Sequence, residues 1–252
     1  RILMAALVGA GLAVSGVVMQ AIVRNPLADP YILGISSGAS LGATVAILFG
    51  LSFTFGDNSV GIMAFMGAFA ISLGVIFIAN MGGRANSTKL LLAGLALSAV
   101  CSSFTSLVVY FANNKEAMQS IAFWMMGSMA GATWGVLKVL SVVMACSILF
   151  LWLQSRMLNL MLVGDEAAIT LGYDLNKYRQ IHLLVSSLIV GFAVYSAGII
   201  GFVGLLVPHV VRLFVGTGHI KLIPFSALVG AIFLVIADAL CRILLPHAEL
   251  PI

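Results

Sequence analysis

Eight long apolar stretches are the feature that most constrains how this chain folds. A helix needs about 20 mostly apolar residues to cross a bilayer, and stretches of roughly that length recur from one end of the sequence to the other. The strict alternation of apolar and polar residues that marks a transmembrane β-strand is absent from them. The sequence therefore predicts an all-α, polytopic transmembrane helical bundle with about eight crossings. The stretches are residues 2–22, 32–55, 60–81, 89–112, 133–154, 181–199, 201–217 and 222–245.

The composition agrees with a surface that faces lipid. Only 8% of the 252 residues are charged and 62% are hydrophobic, whereas a soluble domain carries about 25% charged residues. We therefore expect membrane lipid around the bundle. No dense basic cluster of the kind that binds nucleic acid is present, so a nucleic-acid partner is not expected.

Two regions interrupt the simple pattern of crossings. The stretch 181–217 is too long for one crossing and carries Pro208 and Arg212, so we expect it to break near Gly198 to Gly201. The stretch 113–132 is interpreted as a loop followed by a short half-helix. Its aromatic residues and methionines indicate either an interfacial aromatic belt or the mouth of a substrate path.

The basic residues predict an orientation, because cytoplasmic loops of membrane proteins are enriched in lysine and arginine. With the loop at Asn25 on the cytoplasmic side and the crossings alternating, eight cations lie inside and four lie outside. Both ends of the given chain then lie outside. The inner cations are Arg24, Arg84, Lys89, Arg156, Lys177, Arg179, Arg212 and Lys221, and the outer ones are Arg1, Lys115, Lys138 and Arg242.

A polar turn followed by evenly spaced glycines separates the first two apolar stretches. Pro26 and Pro30 withhold backbone donors and disfavour helix at the residues before them, so residues 25–30 are predicted to form a fixed turn. Glycines then recur at every fourth position, a spacing that removes the side chains from one helix face and favours close helix packing over a ligand-binding role. These glycines are Gly34, Gly38 and Gly42.

The longest polar interruption, residues 154–180, falls on the predicted cytoplasmic side and contains a short helical pattern. Asp165 and Glu166 suit a helix N-terminus, Ala167 and Ala168 continue the helix, and Gly172 suits its end. We expect a short helix at 165–171, beneath the membrane. On the residues alone it is either an interfacial linker or a docking element for a cytoplasmic partner.

Ionisable residues inside a bilayer are costly and are usually paired or functional. Asp238 and Arg242 are four residues apart on one predicted helix, so we expect an intramembrane ion pair, with a proton or ion site as the alternative. His209 is interpreted as a capping or packing residue rather than a ligand. No metal-ligand spacing is present, and nucleotide-binding and catalytic signatures are also absent, so this chain is not expected to be an enzyme.

Four motifs resemble one known family, the FecCD/BtuC permeases of ABC importers for iron–siderophore complexes, heme and vitamin B12. They appear in the family's order and cover nearly the whole chain, and "STKLLLAGLALS" also fits. The resemblance implies ten transmembrane helices in a full subunit, so residues 1–252 are expected to form a single permease domain that lacks the family's first and last helices. The motifs are "RNPLADPYILGISSGASLGA", "GDEAAITLGYD", "GFVGLLVPHVVRLFVG" and "LIPFSALVGAIFLVIADALCR".

The resemblance also implies roles for individual residues. It favours docking over a plain linker for the short helix, as the element that couples the permease to an ATPase. The translocation path is expected along the helix that starts near Leu90, whose residues 90–110 carry no charge. The coupling residues implied are Gly164, Asp165, Glu166, Ala167, Ala168, Leu171 and Gly172, and the cytoplasmic gate residues implied are Asn25, Leu27, Ser87 and Thr88.

The function implied is import of an iron complex across the bacterial inner membrane by alternating access. Iron–siderophore is the expected cargo, with heme and vitamin B12 as alternatives. The implied partners are a second permease subunit in a homodimer, two cytoplasmic ATPase subunits that hold ATP and Mg, and a periplasmic or lipid-anchored binding protein; this chain is expected to bind no cofactor. An ion-coupled secondary transporter that uses Asp238 or His209 is the competing hypothesis, and a structural or signalling subunit is a third.

Overall fold

The computed structural model describes residues 1–50, 58–81, 83, 85–112 and 115–244. Across these ranges the regular secondary structure consists of eleven α-helices and one 3-10 helix, Pro30–Leu33. The α-helices are α1 (Ile2–Val23), α2 (Ile35–Phe49), α3 (Ser59–Asn80), α4 (Ser87–Ala112), α5 (Lys115–Met125), α6 (Trp134–Leu153), α7 (Ser155–Val163), α8 (Asp165–Thr170), α9 (Leu175–Ala197), α10 (Val203–Val215) and α11 (His219–Ile243).

Eight of these helices overlap the eight apolar stretches of the sequence; positions 51–55 of the second stretch and 245 of the last lie outside the described residues. Among the described residues, six are long and apolar enough to cross a membrane, namely α1, α3, α4, α6, α9 and α11. The other two, α2 and α10, are apolar but shorter. The prediction of an all-α, polytopic membrane bundle is confirmed.

The predicted break in the long apolar stretch 181–217 is present, but the helices around it begin and end elsewhere. Helix α9 ends at Ala197 and α10 begins at Val203. Helix α9 begins at Leu175, six residues before the predicted position, because the Asp174 side chain accepts a hydrogen bond from the Asn176 N–H at 3.0 Å and caps the helix. Apolar periodicity does not detect such a polar first turn.

The predicted order of elements in 113–132 is wrong over 115–132, and positions 113 and 114 lie outside the described residues. Helix α5 begins at Lys115, and the non-helical segment follows it at 126–133. Glu116 in the first turn favours the start of the helix. Gly127, with φ of 70°, adopts a left-handed conformation that glycine tolerates at the end of a helix.

Helix α1 lies at the centre of the bundle, where it packs against α6, α9, α10 and α11. Glycines permit this close approach: a Cβ atom on Gly16 would overlap the backbone of Gly204, and one on Gly9 would overlap the backbone of Gly230. Helix α4 lies at the edge and contacts mainly α2, α3 and the 3-10 helix.

The two ends of the bundle differ in polar content. The segments after α1 and α3, helix α8 and the start of α9 meet at one end, which the positive-inside rule predicts to be cytoplasmic. At the opposite end, Arg1 and Arg242 line one cavity of about 400 Å³. Eight cations are predicted on the cytoplasmic side, and one of them, Arg84, is not among the described residues.

Candidate coupling and gating site

The short helix α8 lies at the polar end of the bundle together with the two predicted gate segments. These are the turn at Asn25 and Leu27 and the start of α4 at Ser87 and Thr88. The Oδ1 atom of Asp165, the first residue of α8, is 2.6 Å from Nη2 of Arg179 and 3.1 Å from Nη2 of Arg24. Arg24 directly precedes the turn at Asn25. Arg179 donates a second hydrogen bond to the carbonyl oxygen of Ala85, two residues before Ser87, at 3.1 Å.

The first gate segment is a tight turn at the end of α1. Arg24 adopts a left-handed backbone conformation (φ 55°), and its N–H donates to the Gln20 carbonyl, which ends the helix. The Asn25 side chain then accepts a hydrogen bond from the Leu27 N–H at 2.9 Å. This bond presents the Leu27 side chain outward, with 60% of its surface exposed.

The same loop continues into the 3-10 helix through a second side-chain cap. Asp29 accepts a hydrogen bond from the Tyr31 N–H at 2.8 Å. Burial raises the pKa of the Asp29 carboxyl above its ordinary value, and the Tyr31 hydrogen bond opposes part of that rise. The turn is therefore closed by a polar side chain at each end, as its asparagine, aspartate and proline content predicts.

The second gate segment is the N-terminus of α4. Ser87 donates a hydrogen bond from Oγ to the carbonyl oxygen of Ile22, near the end of α1, at 2.6 Å. Thr88 is exposed beside it. Because Ile22 lies three residues before Asn25, the two gate segments are anchored on the same end of α1.

Helix α8 presents both charged and apolar groups away from the bundle. Gly164 precedes it with φ of 124°, and Gly172 follows with φ of 82°, conformations that side-chain-bearing residues rarely adopt. Ala168 is fully buried against the bundle, whereas Leu171 is 64% exposed. Glu166 is also exposed. The outward surface of α8 therefore combines a carboxylate with a large apolar side chain.

The three spaced glycines do not share one environment. Gly38 and Gly42 lie on α2 where an added Cβ atom would overlap the backbone of α3 at Gly67 and Met63 respectively. Gly34 precedes α2 and has φ of 81°, and its nearest neighbour is the Gly94 carbonyl of α4. Two glycines thus bring α2 against α3, and the third closes the turn next to α4.

The predicted contact between Asp238 and Arg242 is present in the structure. The Arg242 Nη2 and Asp238 Oδ2 atoms are 2.9 Å apart, and the Asp238 side chain is nearly buried. His209, the other residue considered for ion coupling, lies on the exposed side of α10. Asp238 and His209 lie on different helices, α11 and α10, and Asp238 already contacts the cationic side chain of Arg242.

Sequence reasoning counted Arg24 and Arg179 only as cytoplasmic cations. The structure adds that both contact Asp165, and that Arg179 is almost completely buried. The sequence does contain one indication of their position: Arg24 directly precedes the proline turn, and Arg179 lies just before an apolar stretch. That signal indicates proximity to the membrane surface, but it does not identify the acid that pairs with them.

The fold and the arrangement of its polar end define a multi-pass membrane protein whose loops converge on one face. The chain belongs to the FecCD transport family, whose model matches residues 1–252. The resemblance seen in the four motifs is confirmed, and the chain is a permease of the ABC transporter type.

Similar proteins agree with this membership. The chain is 41% identical to the hemin transport system permease HmuU of Yersinia pestis over all of this chain and 75% of that protein. It is 39% identical to the vitamin B12 import system permease BtuC of Salmonella typhi over all of this chain and 76% of that protein. A solved inward-facing ABC transporter, provisionally assigned to the metal-chelate type, matches with 37% identity and a TM-score of 0.92, covering all of this chain and 79% of that one.

Proposed function

We propose that this chain is the membrane-spanning subunit of an importer that carries a metal chelate across the bacterial inner membrane by alternating access. The match of residues 1–252 to the FecCD family carries the proposal. The relatives named for hemin and vitamin B12 support heme and cobalamin as cargo beside an iron–siderophore complex. All three are large chelates, so the path must accommodate a broad cargo rather than a bare ion.

The polar end of the bundle supports a role for α8 as the contact for a separate cytoplasmic ATPase. Glu166 and Leu171 are exposed on this helix, and buried Ala168 holds it against the bundle. A helix fixed on one side and exposed on the other can carry a push from a partner into the membrane domain. ATP and Mg then belong to the ATPase, and this chain contributes no catalytic group.

The exposed face of α4 supports a translocation path shared with a second permease subunit. Ser102, Ser103 and Ser106 are exposed there, together with the large apolar side chains of Phe104 and Leu107. A mixed surface of hydroxyl and apolar groups without charge suits a large chelate that must bind weakly enough to leave. A second copy facing this surface encloses a path, with Asn25, Leu27, Ser87 and Thr88 at its cytoplasmic end. A periplasmic or lipid-anchored binding protein then delivers the cargo to the opposite end.

The test is uptake into proteoliposomes that contain the permease together with its ATPase and binding protein. Hemin, cobalamin and a ferric siderophore form three parallel arms, each with ATP or with a non-hydrolysable analogue. We expect ATP-dependent uptake in at least one arm, insensitive to a protonophore. A matched sample with a hydrolysis-deficient ATPase is the control. Uptake that persists in that control contradicts the proposal.

The same assay addresses the ion-coupled alternative. If Asp238 or His209 coupled transport to an ion gradient, the protonophore and the variants Asp238→Asn and His209→Gln should abolish uptake. We expect both variants to retain ATP-dependent uptake if they fold, because Asp238 pairs with Arg242 and His209 lies on the exposed side of α10. Loss of uptake in well-folded variants would favour ion coupling.

A further inference from the structure

A single carboxylate oxygen connects α8 to both gate segments. Asp165 Oδ1 accepts from Arg179 at 2.6 Å and lies 3.1 Å from the Arg24 guanidinium. The two arginines approach from different elements, α9 and the end of α1. Any displacement of Asp165 must therefore stretch or move both contacts.

The connection through Arg179 reaches the gate segment at the start of α4. Its Nη1 donates to the Ala85 carbonyl at 3.1 Å, and Ala85 precedes Ser87 by two residues. The Arg179 side chain is only 2% exposed, so water offers little replacement for a lost partner. Leaving a buried guanidinium without its carboxylate is strongly destabilising. We therefore expect Arg179 to stay bound to Asp165 when α8 moves.

The connection through Arg24 reaches the other gate segment. Its Nε donates to the Met161 carbonyl of α7 at 3.0 Å, while Nη2 contacts Asp165. The Arg24 backbone ends α1 and is directly followed by Asn25, so the side chain and the turn move together. Arg24 is one-third exposed, so this connection is the weaker of the two.

We propose that Asp165 is a positioning residue that transmits movement of α8 to both gate segments, through Arg24 to the turn at Asn25 and Leu27, and through Arg179 and Ala85 to Ser87 and Thr88. The proposal rests on the proposed function, in which an ATPase moves α8. It adds that one carboxylate connects both gate segments to α8, beside the hydrogen bond from Ser87 to Ile22 that joins the two segments to each other. Without that carboxylate, the gate segments lose their polar connection to the moving helix.

The test measures gate movement directly, so that it does not depend on the identity of the cargo. In a background with the three cysteines replaced by serine, Leu27→Cys and Thr88→Cys serve as separate reporters, since both positions are exposed. The permease is assembled with its ATPase in proteoliposomes. The rate of maleimide labelling is compared with and without a non-hydrolysable ATP analogue.

The two reporters separate the two connections. Asp165→Asn should reduce the nucleotide-dependent change in labelling rate at both reporters by about fivefold or more, because hydrogen bonds to charged groups are among the strongest in proteins. Arg24→Gln should reduce it only at Leu27→Cys and leave Thr88→Cys responsive. Asp165→Glu, which retains the charge, should restore part of the response. Arg156→Gln removes a cation from an exposed position on α7 and is the matched control.

Several outcomes overturn the proposal. A full nucleotide response at both reporters in Asp165→Asn does so, and so does an equal loss at both reporters in Arg24→Gln, which would indicate general loosening of the fold. If Asp165→Asn does not assemble, the selective effect of Arg24→Gln decides. If labelling does not respond to nucleotide when Asp165 and Arg24 are both unchanged, the result contradicts the proposed function and the role of Asp165 together. If labelling responds to nucleotide with these residues unchanged and responds equally in Asp165→Asn and Arg24→Gln, the result contradicts the role of Asp165 alone.

Discussion

Helices α1 and α4 have similar sequences in the terms that predict membrane crossings, yet they occupy opposite environments. Their mean hydropathies are 2.3 and 1.9, and both are long enough to span a bilayer. However, within the 18-residue apolar segment of each helix, 72% of the residues of α1 are buried inside the bundle, against 17% of those of α4. Hydropathy therefore reports that a helix lies in the membrane but does not report whether protein, lipid or a path surrounds it.

The small residues of the two helices show how the difference arises. On α1, Gly9 and Gly16 face the backbones of α11 and α10, so that neighbouring helices approach closely. On α4, Ser103 and Ser106 are exposed and their hydroxyls donate back to the carbonyls of Ala99 and Ser102 in the same helix. Small residues thus allow close packing on one helix and provide a polar, self-satisfied surface on the other.

The largest expected effect comes from adding bulk to each helix. Gly16→Leu places a side chain into the backbone of Gly204, and we expect it to destabilise the fold by at least about 3 kcal/mol. Ala99→Leu, at an exposed position of α4, should change stability by less than about 0.5 kcal/mol. Thermal unfolding and monodispersity in detergent measure both. Equal damage from the two variants would contradict the assignment of α1 as central and α4 as peripheral.

An intermediate effect is expected in chemical accessibility, measured in the background without native cysteines. Ser15→Cys lies at a fully buried position of α1, whereas Ser103→Cys lies on the exposed face of α4. We expect a water-soluble maleimide to label the second at least about a hundredfold faster, since reaching the first requires opening of the bundle. If Ser103→Cys is equally unreactive, its face of α4 contacts lipid and does not line an aqueous path.

The smallest effect concerns single hydroxyl groups. The Ser15 hydroxyl is buried and makes no hydrogen bond within the described residues, so Ser15→Ala should be neutral or stabilising by up to about 1 kcal/mol. Ser103→Ala removes an exposed bond within its own helix and should leave stability unchanged. Thermal unfolding of the two variants, side by side, gives the comparison. A clear destabilisation by Ser15→Ala would mean that this hydroxyl has a partner in the assembled bundle.

Much of the fold follows from sequence because each crossing is specified locally. The eight apolar stretches overlap eight helices, and the break after Ala197 was predicted from the length and polar residues of its stretch. The errors occur where polar residues begin a helix, as in the first turns of α9 and α5. A polar helix is stabilised by its cap and by neighbours that local periodicity does not include.

The candidate site was predictable only in part. The four motifs identified the family, and the residues of the coupling helix and gate segments came from that resemblance, so their roles stay predictions. The spacing of Asp238 and Arg242 anticipated their contact, since four residues make one helical turn. No spacing rule relates Arg24 to Asp165, because they are joined by the folding of the chain and not by a helix.

The sequence by itself determined that this is a multi-pass helical membrane protein and where its apolar helices lie. The reason is that a bilayer requires the backbone polar groups of a helical segment to be satisfied within that segment, so a long apolar run folds as a helix. Only the tertiary structure decided that α1 is central, that α4 is exposed, and that Asp165 joins Arg24 to Arg179. Those choices depend on which surfaces fit together, and surface fit is a property of pairs of helices distant in sequence.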